Sequence, residues 1–300
     1  MPGDADGRFT RKIRVYIPPS NATRDHVSQI VPPRRHLPGM SWRENARELW
    51  DFRELLIALV ERNLTMRYQR SILGAVWTLL NPLLTGLVLV AVFSVILRVR
   101  TPQYWAFLIS GYFAWVFTLN SLGISAGLIS GHSFMSRNVA FPADVLVISA
   151  VVSRFVEFAI EMVLVVVVLA AVRHEGLTSG LLALPFVMML HAVLTAGLMF
   201  PIAALGVFFE DVQHAVPVGL MMLTMISPVY YPMSSMPEHW QPILSMNPFA
   251  GVLMLYHVTV YDGRLPTSAE LLTPVISTLI AFTVGFALFR WKRSFFAEIV

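Results

Sequence analysis

Across 300 residues the chain is 56% apolar and 13% charged, with a mean hydropathy of +0.66, which excludes an ordinary soluble domain and points to a polytopic membrane protein. The absence of cysteine excludes disulfides, thiolate metal sites and cysteine nucleophiles. The formal charge of +4 comes largely from basic residues flanking apolar runs, so it reports topology and not a nucleic-acid patch.

Residues 1–40 are polar and proline-rich (Pro18, Pro19, Pro32, Pro33, Pro38) and hold no apolar core of signal-peptide length. They are expected to form an irregular cytoplasmic arm. Its Asp4-Ala-Asp6 and the sequon at Asn21 have no supporting context. Ser41-Trp-Arg-Glu44 fits a capping box and Asp51-x-x-Glu54 a further helix start, so residues 41–74 are expected to be interface helices ahead of a transmembrane domain at 75–300. At helical periodicity Leu49, Phe52, Leu55, Leu56, Leu59, Val60 and Met66 share one face, opposite Asp51, Glu54, Glu61, Arg62, Thr65 and Gln69. This amphipathic helix meets the basic cluster Arg67, Tyr68, Arg70. From Ser71 to Leu97 there is then no charged side chain, a run long enough to cross a bilayer.

Runs of this length fit helices and not the short alternating strands of a barrel, so the predicted fold is an all-α bundle. Six spans are expected: Ala75–Leu97, Tyr104–Ile129, Val145–Val172, Leu181–Phe208, Ala215–Tyr231 and Leu271–Phe289. Seventeen Lys and Arg lie before the first span, in the second loop at Arg137 and after the last span, against four (Arg98, Arg100, Arg173, Arg264) in the opposite loops, so both termini are expected to be cytoplasmic. Span three carries Arg154, Glu157 and Glu161 on one face. Charges there are costly; they either pair internally to fix packing or form a polar strip along a transport path. Aromatics at the span ends read as interfacial belts; Trp77, Phe113, Trp115 and Phe117 are candidates for lining a path, with belt or packing the reading preferred for any one of them. Between spans five and six, Tyr230–Glu270 holds five prolines around an apolar stretch, Asn247–Val260, too short to cross comfortably; a pair of short re-entrant helices fits.

Neither lysine, Lys12 or Lys292, follows a glycine, so there is no phosphate loop for ATP. The histidines show no H-E-x-x-H and no ligand spacing, which argues against metal; His132, His191 and His214 read as satisfied interior or interfacial groups.

The residues now resemble a known family. Arg67-Tyr68-Gln69-Arg70-Ser71-Ile72-Leu73-Gly74-Ala75-Val76-Trp77, with Leu80-Asn81-Pro82, is similar to the approach to the first span in membrane subunits of bacterial type-2 ABC exporters for cell-surface polysaccharide, such as O-antigen and teichoic acid permeases. Arg137-Asn138 and Phe141-Pro142-Ala143-Asp144 resemble the family's cytoplasmic coupling loop. Phe209 to His214 resembles its second cytoplasmic turn, with Glu210 where arginine is usual. Pro228, Tyr230, Tyr231, Pro232, Trp240, Asn247 and Pro248 resemble an outer gate, with Tyr256-His257 in place of tyrosine-arginine, and Arg293 to Glu298 resembles the terminal motif.

The resemblance implies a multi-pass plasma (inner) membrane permease, not an enzyme. It would need no cofactor of its own and would work as two copies with two copies of a separate ATPase that binds ATP and Mg. The cargo implied is a lipid-linked glycan on polyprenyl diphosphate. Arg137, Asn138, Phe141, Pro142, Asp144, Glu61 and Arg62 would couple to the ATPase. Arg67 and Arg70 would meet the diphosphate, because guanidinium pairs bidentately with phosphate, or else membrane lipid headgroups. Alternatives are a type-2 permease for drugs or another lipid, and a membrane-embedded glycan enzyme, for which Glu175, Glu238, Asp262 and Glu270 form only a weak constellation.

Overall fold

The computed structural model describes residues 50–68, 76–96, 99, 101–132, 143–173 and 178–299. The expected arm, the capping box at Ser41, and Arg70, Arg137, Asn138, Phe141 and Pro142 lie outside them, as does the side chain of Arg67.

Among the described residues every regular element is helical: α1 (Arg53–Tyr68), α2 (Val76–Val90, widening into a π turn at Ala91–Ile96), α3 (Tyr104–Ser125), α4 (Ala143–Arg173), α5 (Leu184–Phe208), α6 (Asp211–Ile226), the short α7 (Gln241–Ser245), α8 (Pro248–Tyr256, continuing as a π turn to Tyr261) and α9 (Ser268–Ile299). Helices α3, α4, α5 and α9 are long and apolar enough to cross a membrane, while Leu80–Ile96, Asp211–Ile226 and Pro248–Tyr261 are apolar but shorter. The 31 residues of α4 span about 46 Å, beyond the roughly 30 Å of bilayer hydrocarbon. Its outward face shows Ile160, Val163 and Val167, and that of α9 Leu279 and Ile280. Apolar side chains left in the open along spans of this length make a surface suited to lipid or to another apolar helix.

Helices α3, α5 and α9 run in one direction and α4 in the other, as the α5–α9 ring contacts and the meeting of Arg173 with Gln103 require, which gives the bundle two ends. At one, the first turn of α4 meets the last turns of α9 through Asp144 and Arg293, and Phe208 packs on Phe296. At the other, Tyr104, Tyr230 and Tyr261 gather around the start of α3. The tightest helix pairing is α5 against α9, and small residues make it possible: a Cβ on Gly197 would lie 2.7 Å from the Phe282 Cα, and one on Gly285 would collide with the Gly197 carbonyl. Without Cβ atoms the two backbones approach closely, and dispersion along the seam replaces a solvent-driven force that lipid does not supply.

Helix α1 uses the predicted face in part. Leu59 is buried, and Phe52, Leu55 and Leu56 pack against the same core. Asn63 donates to Ser153 Oγ on α4 at 3.4 Å, so the amphipathic face covers the first half of α4. Met66 does not join it; it is 59% exposed and its sulfur accepts from Arg62 Nε.

Two predicted boundaries are corrected. The helix expected as span five, α6, ends at Ile226 and not Tyr231: Ser227 is extended (φ −94°, ψ 142°), the conformation imposed on a residue that precedes proline. The last helix runs about three turns past Phe289 to Ile299, because Arg290, Lys292 and Arg293 limit how long a helix stays in hydrocarbon, not how long it stays helical.

Candidate functional site

The residues expected at the outer gate converge on the Tyr261 end of the bundle. After α6 stops, Ser227, Pro228 and Val229 are buried without helical bonding, and side chains from other elements hold the segment. Asn247 caps α8, its Oδ1 accepting from Phe249 N at 3.0 Å, while its Nδ2 donates to Ser227 Oγ at 2.8 Å. Pro248 then occupies the first helical position, where a missing N–H costs nothing. Tyr104 of α3 donates its hydroxyl to the Tyr230 carbonyl at 2.6 Å, and Phe93 stacks on the Tyr230 ring at 5.8 Å. His257 lies between Ser110 Oγ, 2.9 Å from Nδ1, and the Pro228 carbonyl, 3.2 Å from Nε2. Phe107 stacks on its ring at 4.0 Å, and Gly111 makes the room: a Cβ there would sit 2.7 Å from His257 Cε1. One residue earlier, the Tyr256 hydroxyl is 3.3 Å from His191 Nδ1, whose Nε2 is 2.8 Å from Thr118 Oγ1. The segment expected to be the gate is thus joined to α3 and α5 by buried polar contacts that satisfy both histidines.

A second cluster ties the connections at this end together. Arg173, closing α4, donates to Gln103 Oε1 at 2.6 Å and to the Tyr261 carbonyl at 2.7 Å, with its guanidinium 5.2 Å from the Tyr261 ring centre. Tyr261 in turn donates to the Pro102 carbonyl at 2.6 Å. Gln103 stands at φ 45°, a left-handed conformation unfavourable for a residue with a Cβ, and the grip of Arg173 accounts for its persistence. Arg264 pairs bidentately with Glu270 at 2.6 and 2.9 Å. Glu270 also accepts from Thr267 N at 2.8 Å, and Thr267 Oγ1 accepts from Glu270 N, a reciprocal cap on α9. Burial pushes the Asp262 carboxyl above the usual carboxylate range, against the opposing pull of Arg264.

At the opposite end Asp144, expected in coupling, is buried and accepts from Arg293 Nη1 at 3.1 Å. Glu61 and Arg62 lie exposed on α1. Within α4, Arg154 and Glu157 form an ion pair at 3.3 Å with both side chains buried, and Glu161 is 4% exposed, so this strip lies inside the helix bundle.

The aromatic candidates divide. Trp77 is half exposed. Phe113, Trp115 and Phe117 are at most 2% exposed. Trp115 Nε1 donates to Thr224 Oγ1 at 3.0 Å and meets Phe249 edge-on at 5.7 Å, while Phe117 stacks on Phe158 at 5.0 Å. These three rings pack the core, and lining a path would require them to leave it. Of the residues expected at the gate, Pro228 is buried, Tyr230, Tyr231, Pro232, Asn247 and Pro248 are half-buried, and Trp240 is half exposed at the N-cap of the short α7.

Sequence reasoning passed over the partners: Phe107, Ser110 and Gly111 around His257, the Arg173 cluster, and the Thr267-Glu270 cap. Only the last has a local signal, a T-x-x-E ahead of an apolar run. A Ser-Gly pair inside an uncharged span hints at close packing without saying what packs there.

A profile described as ABC-2 type transporter matches residues 54–260. The chain is 32% identical over 256 residues to an O-antigen export system permease protein RfbA of Myxococcus xanthus, covering 85% of this chain and 98% of that protein. It is 26% identical over 248 residues to an O-antigen export system permease protein RfbA of Klebsiella pneumoniae, covering 82% and 95%. With the polysialic acid transport protein KpsM of Escherichia coli it shares 26% identity over 240 residues, covering 79% and 92%.

Proposed function

This chain belongs to the ABC-2 type transporter family, and from that membership we propose that it is the membrane subunit of an exporter that moves polysaccharide on a polyprenyl diphosphate carrier out of the cytoplasm. The observation that carries the reading is similarity over nearly the full length of relatives named as O-antigen export and polysialic acid transport proteins. The residues support it: the sequence has no phosphate loop, and the chain is built of apolar helices that take work from a partner in place of binding ATP.

In this reading α2 and α6 cross with the four longer helices to make six spans, and both termini are cytoplasmic in the bacterial inner membrane. Two copies pair with two ATPase subunits. The end bearing Asp144 and Arg293 then faces the cytoplasm, and α7 and α8 form a re-entrant pair at the outer face. The loop holding Arg137, Asn138, Phe141 and Pro142, together with Glu61 and Arg62, receives motion from the ATPase. Arg67 and Arg70 meet the carrier diphosphate, and Trp77, on the open face of α2, is the aromatic best placed to meet the glycan.

The test is to deplete the chain in cells that retain the ATPase and to assay polyprenyl-linked glycan on the cytoplasmic side. Finished glycan should accumulate while surface polysaccharide is lost. Accumulation of unextended precursors, or of nothing, would refute glycan export as the function.

A further inference from the structure

Residues 227–232 have left helix α6 and do not enter α7, so they lack the ladder of backbone bonds that makes a helix rigid. Three side chains from elsewhere hold the stretch: Asn247 at Ser227, Tyr104 at the Tyr230 carbonyl and His257 at the Pro228 carbonyl. His257 differs from the other two because it also contacts a third element, Ser110 of α3. Its seat is shaped for a ring, with Phe107 stacked 4.0 Å away and Gly111 leaving no space for even a methyl group.

The direction of the bonds follows from chemistry. A carbonyl only accepts, so Nε2 carries the proton and donates to Pro228 O. Neutral Nδ1 is then an acceptor. It shares the single Ser110 proton with the Phe107 carbonyl, 2.7 Å from the Ser110 oxygen. The Nε2 bond is therefore the one that restrains the segment, and the Nδ1 contact only steadies the ring.

We propose that His257 is a positioning residue that latches residues 227–232 shut at the outer mouth of the transport path, and that its Nε2 bond to the Pro228 carbonyl is the latch. This rests on the export reading for what the mouth passes. The bond ties the end of α6 to α3 and α8 at once, so breaking it removes one of the three holds on the segment and raises its opening without unpacking any helix.

The chain has no native cysteine, so Val229→Cys, at a position with no exposure, makes the segment's opening measurable. The assembled permease–ATPase complex is exposed from outside to a membrane-impermeant maleimide, without ATP or glycan. Gln places its amide nitrogen near the position of Nε2, and Asn near that of Nδ1. Labelling should stay slow with His257→Gln and with Ser110→Ala, and rise about tenfold with His257→Asn, which leaves the Pro228 carbonyl without its donor. Phe107→Leu, which removes the stacked ring but keeps His257, serves as a second loosening variant and should fall between them. Rates equal to the parent in both His257→Asn and Phe107→Leu would overturn the latch. So would fast labelling in His257→Gln or Ser110→Ala. The readout involves neither ATP nor cargo, so a parent complex that failed to export glycan would sink the proposed function and leave this result standing.

Discussion

The contact between Asp144 and Arg293 joins the beginning of α4 to the end of α9 across 149 residues of sequence, and it invites a double-mutant cycle. The pair is 3.1 Å apart, with side-chain exposures of 18% for Arg293 and 4% for Asp144, so solvent screens it little. At an effective dielectric near 20, opposite charges at that separation attract by about 5 kcal/mol, an upper bound before desolvation. Removing one partner of a buried pair generally costs about 3–5 kcal/mol, much of it from the charge left behind. Arg293→Gln and Asp144→Asn should each destabilise strongly, while the double variant should lose less than the sum by about 1–3 kcal/mol. In a domain of this size 1 kcal/mol shifts Tm by about 2 °C, so the expected non-additivity is about 2–6 °C. Thermal unfolding of the purified permease–ATPase complex by intrinsic fluorescence is the assay. Strictly additive shifts would show that the two groups do not act as a pair. If α4 receives motion from the coupling loop, both single variants should also depress transport-linked ATP hydrolysis.

Arg67→Glu should abolish stimulation of ATPase activity by lipid-linked glycan, leaving membrane insertion intact; unchanged stimulation removes the diphosphate role from Arg67. Gly197→Ala drives a Cβ into the α9 backbone and should destabilise by about 1–3 kcal/mol, read as a lower melting temperature; an unchanged value would mean the α5–α9 seam has slack. Trp115→Phe deletes the bond to Thr224 and should cost about 1 kcal/mol of stability without altering transport. Loss of transport at normal stability would instead place Trp115 on the path.

The gate and the core show unequally how far a sequence can be read. Asn247 directly ahead of Pro248 announces a helix start locally, since cap chemistry acts over two residues, and α8 begins there. Pro228 likewise announces a break at Ser227, though an apolar run through Tyr231 masked it. For Phe113, Trp115 and Phe117 the sequence offered packing ahead of path lining without deciding between them, because helical periodicity shows which residues share a face and not whether lipid, protein or a path lies opposite it. The charges on α4 announced a need for partners; the nearest, three residues along, was within reach of pattern reasoning, as Arg154 and Glu157 show.

The sequence by itself determined the class: long uncharged runs must satisfy their own backbone polar groups in lipid, so they are helices, and the basic residues that flank them carry a topology signal. Only the tertiary structure decided the partners. Asp144 finds Arg293, His257 finds Ser110 and the Pro228 carbonyl, and Arg173 finds Gln103 and Tyr261. A buried polar group requires a partner of the right chemistry within about 3 Å, but that requirement says nothing of where in the chain the partner lies. The packing of helices supplies the address, and here it depends on glycines at Gly197, Gly285 and Gly111, whose contribution is the absence of a side chain and so leaves no polar or charged signal to read.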